Sequence, residues 1–128
     1  MKKVLFLLLT IVLIAPSCKK EAPTIEGKWH LYKTAAVSAG ERRENDENSY
    51  YEFAGGTVKI TDKNGYIDNF PYSFDQDHSK LSIGNLEYSV EKFTAKEMVW
   101  RFTGTIMTVI DGELVKIDEE WYNYFRKE

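Results

Sequence analysis

Cys18 is the only cysteine in the chain, so no disulfide can form within it. The fold must be held by burial and hydrogen bonding rather than by covalent cross-links. Histidine is nearly as scarce, and neither His30 nor His78 has a partner at metal-ligand spacing in its own segment. The sequence holds no phosphate-binding loop, dinucleotide fingerprint or Gly-x-Ser-x-Gly elbow. Adjacent carboxylates such as Glu119 and Glu120 would face opposite sides of a strand and could not share one substrate. These absences lead us to expect a non-enzymatic protein with no metal and no cofactor. From Ile25 onward there is also no convincing apolar period of 3.6 residues, which excludes amphipathic helices.

The one long apolar run lies at the N-terminus. Lys2 and Lys3 precede a stretch from Val4 to Ala15 broken only by Thr10, the charged and apolar regions of an export signal. The run is much shorter than the roughly 20 apolar residues that a membrane-spanning helix needs. Directly after it, Ile14-Ala15-Pro16-Ser17-Cys18 resembles the lipobox of bacterial lipoproteins. The resemblance implies a signal peptide over residues 1–17 and a Cys18 that carries lipid, palmitate included. The residues alone also allow a free thiol or an intermolecular disulfide. Residues 18–24 would be the lipidated cysteine and a short polar linker, followed by one domain over residues 25–128. Such a protein would be lipid-anchored in the bacterial cell envelope, at the outer membrane, and would touch the membrane through its N-terminal lipid. Without Lys2 and Lys3 the chain keeps 15 basic residues against 20 acidic ones, a net charge of −5. That balance argues against nucleic acid as a partner.

What the rest of the chain does have is alternation of apolar and polar residues, rich in aromatic and β-branched side chains. Eight strands are expected, at 27–37, 49–54, 57–62, 66–74, 79–83, 86–93, 97–110 and 113–126. Ala54-Gly55-Gly56, Lys63-Asn64-Gly65, Gly84-Asn85 and Asp111-Gly112 supply tight hairpin turns between them. The fold class is therefore all-β, with successive strands as antiparallel neighbours. Inward sets read from the alternation are Trp29 and Leu31; Tyr51 and Phe53; Val58 and Ile60; and Phe70, Tyr72 and Phe74. They continue with Leu81 and Ile83; Tyr88 and Val90; Met98, Trp100 and Phe102; and Val115, Ile117, Trp121 and Phe125. Gly104 is the natural place for a bend in the long seventh strand. The charged stretch from Ser38 to Asn48 is expected to be a surface loop.

Gly27-Lys28-Trp29, at the head of the first strand, resembles the Gly-x-Trp motif of lipocalins. The whole region from Ile25 to Glu128 is similar to the small lipocalin-like domains of Bacteroidota-type bacterial lipoproteins. The resemblance implies an eight-stranded antiparallel up-and-down barrel in which Gly27 permits close packing and Trp29 plugs the closed end. A basic side chain covers that tryptophan in lipocalins, and Arg126 is the positional candidate here. The function implied is binding of a small hydrophobic ligand in the barrel, with Tyr51, Phe53, Phe70, Tyr72, Phe74, Trp100 and Phe102 as candidate lining residues. The same seven side chains could instead simply fill the barrel as core, which is the safer reading for any one of them. The alternative is an interaction module with a filled barrel, binding an envelope protein or a glycan through the Ser38–Asn48 loop and nearby hairpins. Asp75-Gln76-Asp77-His78 reads as an acidic turn in preference to a metal site. The segment from Asp62 to Asp68 reads as a glycine hairpin in preference to the start of a calcium loop.

Overall fold

The computed structural model describes residues 22–128. The signal segment, Cys18 and the first part of the linker lie outside the described residues. Eight strands follow one another: β1 (Gly27–Ser38), β2 (Glu41–Ala54), β3 (Thr57–Thr61), β4 (Ile67–Asp75), β5 (Lys80–Ile83), β6 (Leu86–Phe93), β7 (Glu97–Ile110) and β8 (Glu113–Lys127). Each pairs antiparallel with the next, and β8 closes the sheet on β1. The result is the expected eight-stranded up-and-down barrel. Three of its turns, Ala39-Gly40 (φ 50° and 79°), Gly55-Gly56 (φ 58° and 81°) and Asp111-Gly112 (φ 51° and 81°), place two left-handed residues in succession. That geometry matches the right-handed twist of the strands they join. Asp62 organises the β3–β4 connection by accepting from the backbone N–H groups of Asn64 at 2.8 Å and Tyr66 at 3.0 Å, which accounts for this acidic segment as a turn.

The expected surface loop is absent. Ser38–Asn48 is not a loop: all but the two-residue turn Ala39-Gly40 is strand, paired along β1 from Lys33 to Ser38. Its charges do not prevent this, because in a strand they divide between two faces, one toward solvent and one toward the barrel mouth. The pairing is also offset at Tyr32. Leu31 sits opposite Phe125 and Lys33 opposite Tyr124, so Tyr32 is an extra residue on β1 relative to β8. This bulge reverses the alternation of β1. Trp29 and Leu31 face the interior below it, and Thr34 and Ala36 face it above.

The core fills only one half of the barrel. Trp29, Trp100, Phe53, Phe125, Leu81, Met98 and Val58 are essentially without exposed surface, with Tyr51, Ile60, Tyr72, Phe74, Tyr88 and Phe93 packed against them. Trp100 stands at the centre, with ring centroids 4.3 Å from Phe125, 5.1 Å from Tyr88 and 5.4 Å from Tyr51. This half is the floor of the barrel, where the chain enters. Five members of the inward sets fall outside it, Phe102 and Trp121 among them. Phe70 lies opposite Val58 but at the rim, and it is 38% exposed. Val115 and Ile117 lie above the last pairing of β8 with β1, at Ser38 opposite Glu119, so no barrel encloses them. At Gly104 the pairing of β7 with β8 continues, unbroken from Glu97 to Ile110. An added Cβ there would meet the Trp121 ring at 2.7 Å, so the glycine makes room for an indole.

Candidate functional site

At the floor, the Gly-x-Trp motif forms a plug. Trp29 is fully buried, and its indole Nε1 donates to the Ile25 carbonyl at 2.8 Å. The cation above its ring is Lys127, with Nζ 4.5 Å from the centroid. Arg126 is not that group. It points to the outer surface and lies 3.8 Å over the Tyr32 ring. The register explains the difference, since Lys127 is the direct cross-strand partner of Trp29. The Lys127 ammonium also donates to the carbonyls of Thr24 (3.2 Å) and Glu26. Burial holds its pKa below the ordinary lysine value. Gly27, at φ 118°, has Lys127 so close that a Cβ would lie 2.9 Å from Cε and Nζ. The glycine thus lets the lysine lie across the tryptophan.

The opposite end is open. A cavity of about 680 Å³ occupies the mouth half of the barrel, lined by Thr34, Ala35, Ala36, Arg43, Asn45, Tyr88, Phe102, Glu119, Trp121 and Asn123. Cross-strand register brings the polar groups together: Thr34 lies opposite both Asn45 and Asn123, and Ala36 opposite both Arg43 and Trp121. The small side chains of Thr34 and Ala36 are what leave the space. Phe102 stacks on Trp121 with centroids 5.5 Å apart, and Tyr88 lies 5.9 Å from Phe102. Together they form an aromatic wall. Two residues from Trp121 on β8, Glu119 is only 4% exposed and its carboxylate accepts from Arg43 at 3.1 Å. A buried carboxylate needs such a partner, because an isolated charge there would be far less stable. Arg43 itself is 61% exposed, so it closes the solvent side of the pair.

Glu120, one residue on, does point the other way, where it accepts from Arg101 at 3.2 Å and from the Tyr122 hydroxyl at 2.9 Å. Below the cavity, burial pushes the Tyr51 phenol up to about 12, with smaller contributions from Tyr88 and Glu47. Burial likewise raises the Tyr88 phenol. Trp100 Nε1 has no hydrogen-bond partner among the described residues. The histidines are occupied elsewhere: His30 bonds Asn48 at 2.7 Å, and His78 bonds Asp75 at 2.7 Å within the β4–β5 turn.

Of the seven aromatic candidates, only Phe102 lines the cavity. Phe53 and Trp100 are core, Tyr51, Tyr72 and Phe74 pack against the core, and Phe70 stands at the rim. The polar lining residues Thr34, Arg43, Asn45, Glu119 and Asn123 were not anticipated. Glu119, Trp121 and Asn123 share the inward parity of Phe125, which was legible. Arg43 and Asn45 were hidden in the stretch read as a loop, and Thr34 behind the bulge.

Comparison with known proteins agrees with this architecture. The lipocalin-like domain family matches residues 9–99, a span that ends inside β7. A solved structure of a lipocalin-like protein from Bacteroides uniformis is similar at 18% identity over 81% of this chain and 98% of that one, with a TM-score of 0.48. A structure of an uncharacterized protein from Bacteroides eggerthii is similar at 18% identity over 82% and 100%, with a TM-score of 0.50. No curated protein is significantly similar in sequence. With a Gly-x-Trp plug at the floor, eight meandering strands and a family match over most of its length, the chain belongs to the lipocalin-like domain family.

Proposed function

We propose that this chain is a lipid-anchored envelope protein that holds one small hydrophobic molecule bearing a polar group, without transforming it. The observation that carries the reading is the cavity at the mouth. Its volume, about 680 Å³, falls within the range of small-molecule sites, roughly 300–1,000 Å³. Phe102, Trp121 and Tyr88 supply an apolar wall for the body of the ligand. Thr34, Asn45 and Asn123 offer uncharged donors and acceptors to its polar group, and Arg43 with Glu119 adds a compensated charge pair. This mixed lining favours an amphipathic ligand over a purely aliphatic one, because a hydrocarbon would leave those polar groups dry and unpaired.

A fluorescent apolar probe with a polar head tests this directly. It should bind the full chain at one per molecule, and energy transfer from Trp121 should report it. Ala36→Trp, which fills the cavity from β1, should abolish binding while leaving the circular dichroism of the barrel unchanged. Binding that survives in a folded Ala36→Trp protein refutes the cavity as the site. Failure of such probes to bind wild type favours the other reading, an interaction module for an envelope protein or a glycan, which the filled floor half supports. The anchor has its own measurement. Intact mass of the protein from bacterial membranes should correspond to a chain that begins at an acylated Cys18, and recovery of unmodified chain retaining residues 1–17 would exclude it.

A further inference from the structure

The two charges that line the cavity are not equally placed. Glu119 is buried, whereas most of the Arg43 side chain lies open to solvent. Water screens the arginine, while the buried carboxylate acts through a medium of lower dielectric constant. A molecule inside the cavity therefore meets a site that is negative in effect. Among the described residues no other charged side chain lines the space. A further carboxylate, Glu47 on β2, adds to the same sign from nearby: after burial and Tyr88, its charge also helps to hold the Tyr51 phenol high.

The carboxylate is also incompletely bonded. Arg43 donates to its Oε1 at 3.1 Å, and among the described residues no side chain donates to Oε2. A carboxylate can accept several hydrogen bonds, and a buried oxygen left without a donor is costly. The surroundings suit a cation. The cross-strand partner of Glu119 on β7 is Gly104, and the Trp121 indole lies against that glycine, so ring and carboxylate border the same part of the cavity. Where the face of Trp121 or Phe102 meets a ligand, its π-cloud attracts a cation and repels an anion. Thr34, Asn45 and Asn123 add further acceptor oxygens.

We infer that the cavity selects a protonated amine, whose N–H groups donate to Glu119 Oε2 while its apolar body lies along Trp121 and Phe102. This rests on the ligand-binding reading of the cavity and narrows the ligand's polar group to a cation. An anionic head is the opposite case. To reach Arg43 it must sit beside Glu119, and it leaves Oε2 without a donor. A neutral hydroxyl can donate to Oε2 but brings no charge to the carboxylate, so it ranks between the two.

Octylamine, octanol and octanoate share one apolar chain and differ only in the head, so titration calorimetry of the full chain at neutral pH separates the cases. Octylamine should bind about tenfold or more tighter than octanol, the worth of one charge-assisted hydrogen bond, and octanoate should bind most weakly. Glu119→Gln should remove that preference and bring octylamine to within about twofold of octanol. Glu120→Gln deletes the same charge on the outer face, where Glu120 bonds Arg101 and Tyr122, and should keep the preference. Octanoate that binds as tightly as octylamine, a preference that survives Glu119→Gln, or one that Glu120→Gln also removes would each overturn the inference while leaving the cavity a ligand site. If none of the three binds wild type, the ligand-binding reading itself fails and this inference with it. Should Glu119→Gln not fold, the ranking of the three heads on wild type decides.

Discussion

Replacing Gly104 by alanine sets two effects of known sign against each other. Gly104 has no left-handed φ, so alanine fits the backbone, and removing a glycine from a strand should stabilise by roughly 0.5–1 kcal/mol. Against that, the new methyl would lie 2.7 Å from Trp121 Cζ3, 3.2 Å from its Cη2 and 3.3 Å from Phe102 Cε1. Carbon atoms rest about 3.5–4.0 Å apart, so the indole must retreat by close to 1 Å. Trp121 is stacked on Phe102 at an interplanar angle of 29°, and that stack, worth about 0.5–1.5 kcal/mol, is lost when the ring moves. Overpacking of this kind costs about 1–3 kcal/mol, so the balance should be a loss of about 1–2 kcal/mol. For a domain of this size each kcal/mol lowers Tm by about 4–8 °C. Urea titration followed by tryptophan fluorescence measures the loss, and a Trp121→Leu background supplies the internal control. With the indole gone, Gly104→Ala should turn neutral or stabilising. A Gly104→Ala protein at least as stable as wild type, with Trp121 present, would refute the steric argument.

Trp29→Ala should cost about 3–5 kcal/mol in chemical denaturation, the range for removing a large core aromatic. Lys127→Met keeps the apolar stem over the indole but loses the bonds to Thr24 and Glu26, so its cost should be smaller, about 1–2 kcal/mol. Alkaline stability should report Tyr51. Its folded pKa is raised to about 12 from an ordinary 10.0, so the unfolded chain loses this proton first as pH rises. The contribution is intact below pH 10 and is lost between pH 10 and 12, by about 2–3 kcal/mol. Tyr51→Phe should flatten that slope, and an unchanged slope in the variant would show that other groups set it.

The closed barrel was legible because its turns are local. Gly55-Gly56, Gly84-Asn85 and Asp111-Gly112 mark hairpins through backbone conformations that few residues tolerate. Alternation then placed Trp29, Phe53, Val58, Leu81, Met98, Trp100 and Phe125 in the interior, where they are. The cavity was far less legible. Its space arises from one extra residue at Tyr32, and a bulge leaves no mark in the hydrophobic pattern until the register is known. Its polar wall comes from Arg43 and Asn45, whose charge and polarity suggest solvent, and only the Glu119 carboxylate on the far side of β1 explains an arginine there. The cation on Trp29 was within reach. The alternation that turns Phe125 inward also turns Lys127 inward and Arg126 outward.

The uneven filling of the barrel has a consequence in time as well as in space. Local opening is cheapest where few apolar contacts must be given up, so amide protection should fall from the Trp29 floor, through the hollow mouth, to the tip at Asp111. Openings of the mouth can then occur many times for each global unfolding event. A molecule could enter or leave through such fluctuations while the floor stays shut, and its residence time would be set by the breathing of Thr34, Ala36 and Trp121 rather than by the stability of the whole fold.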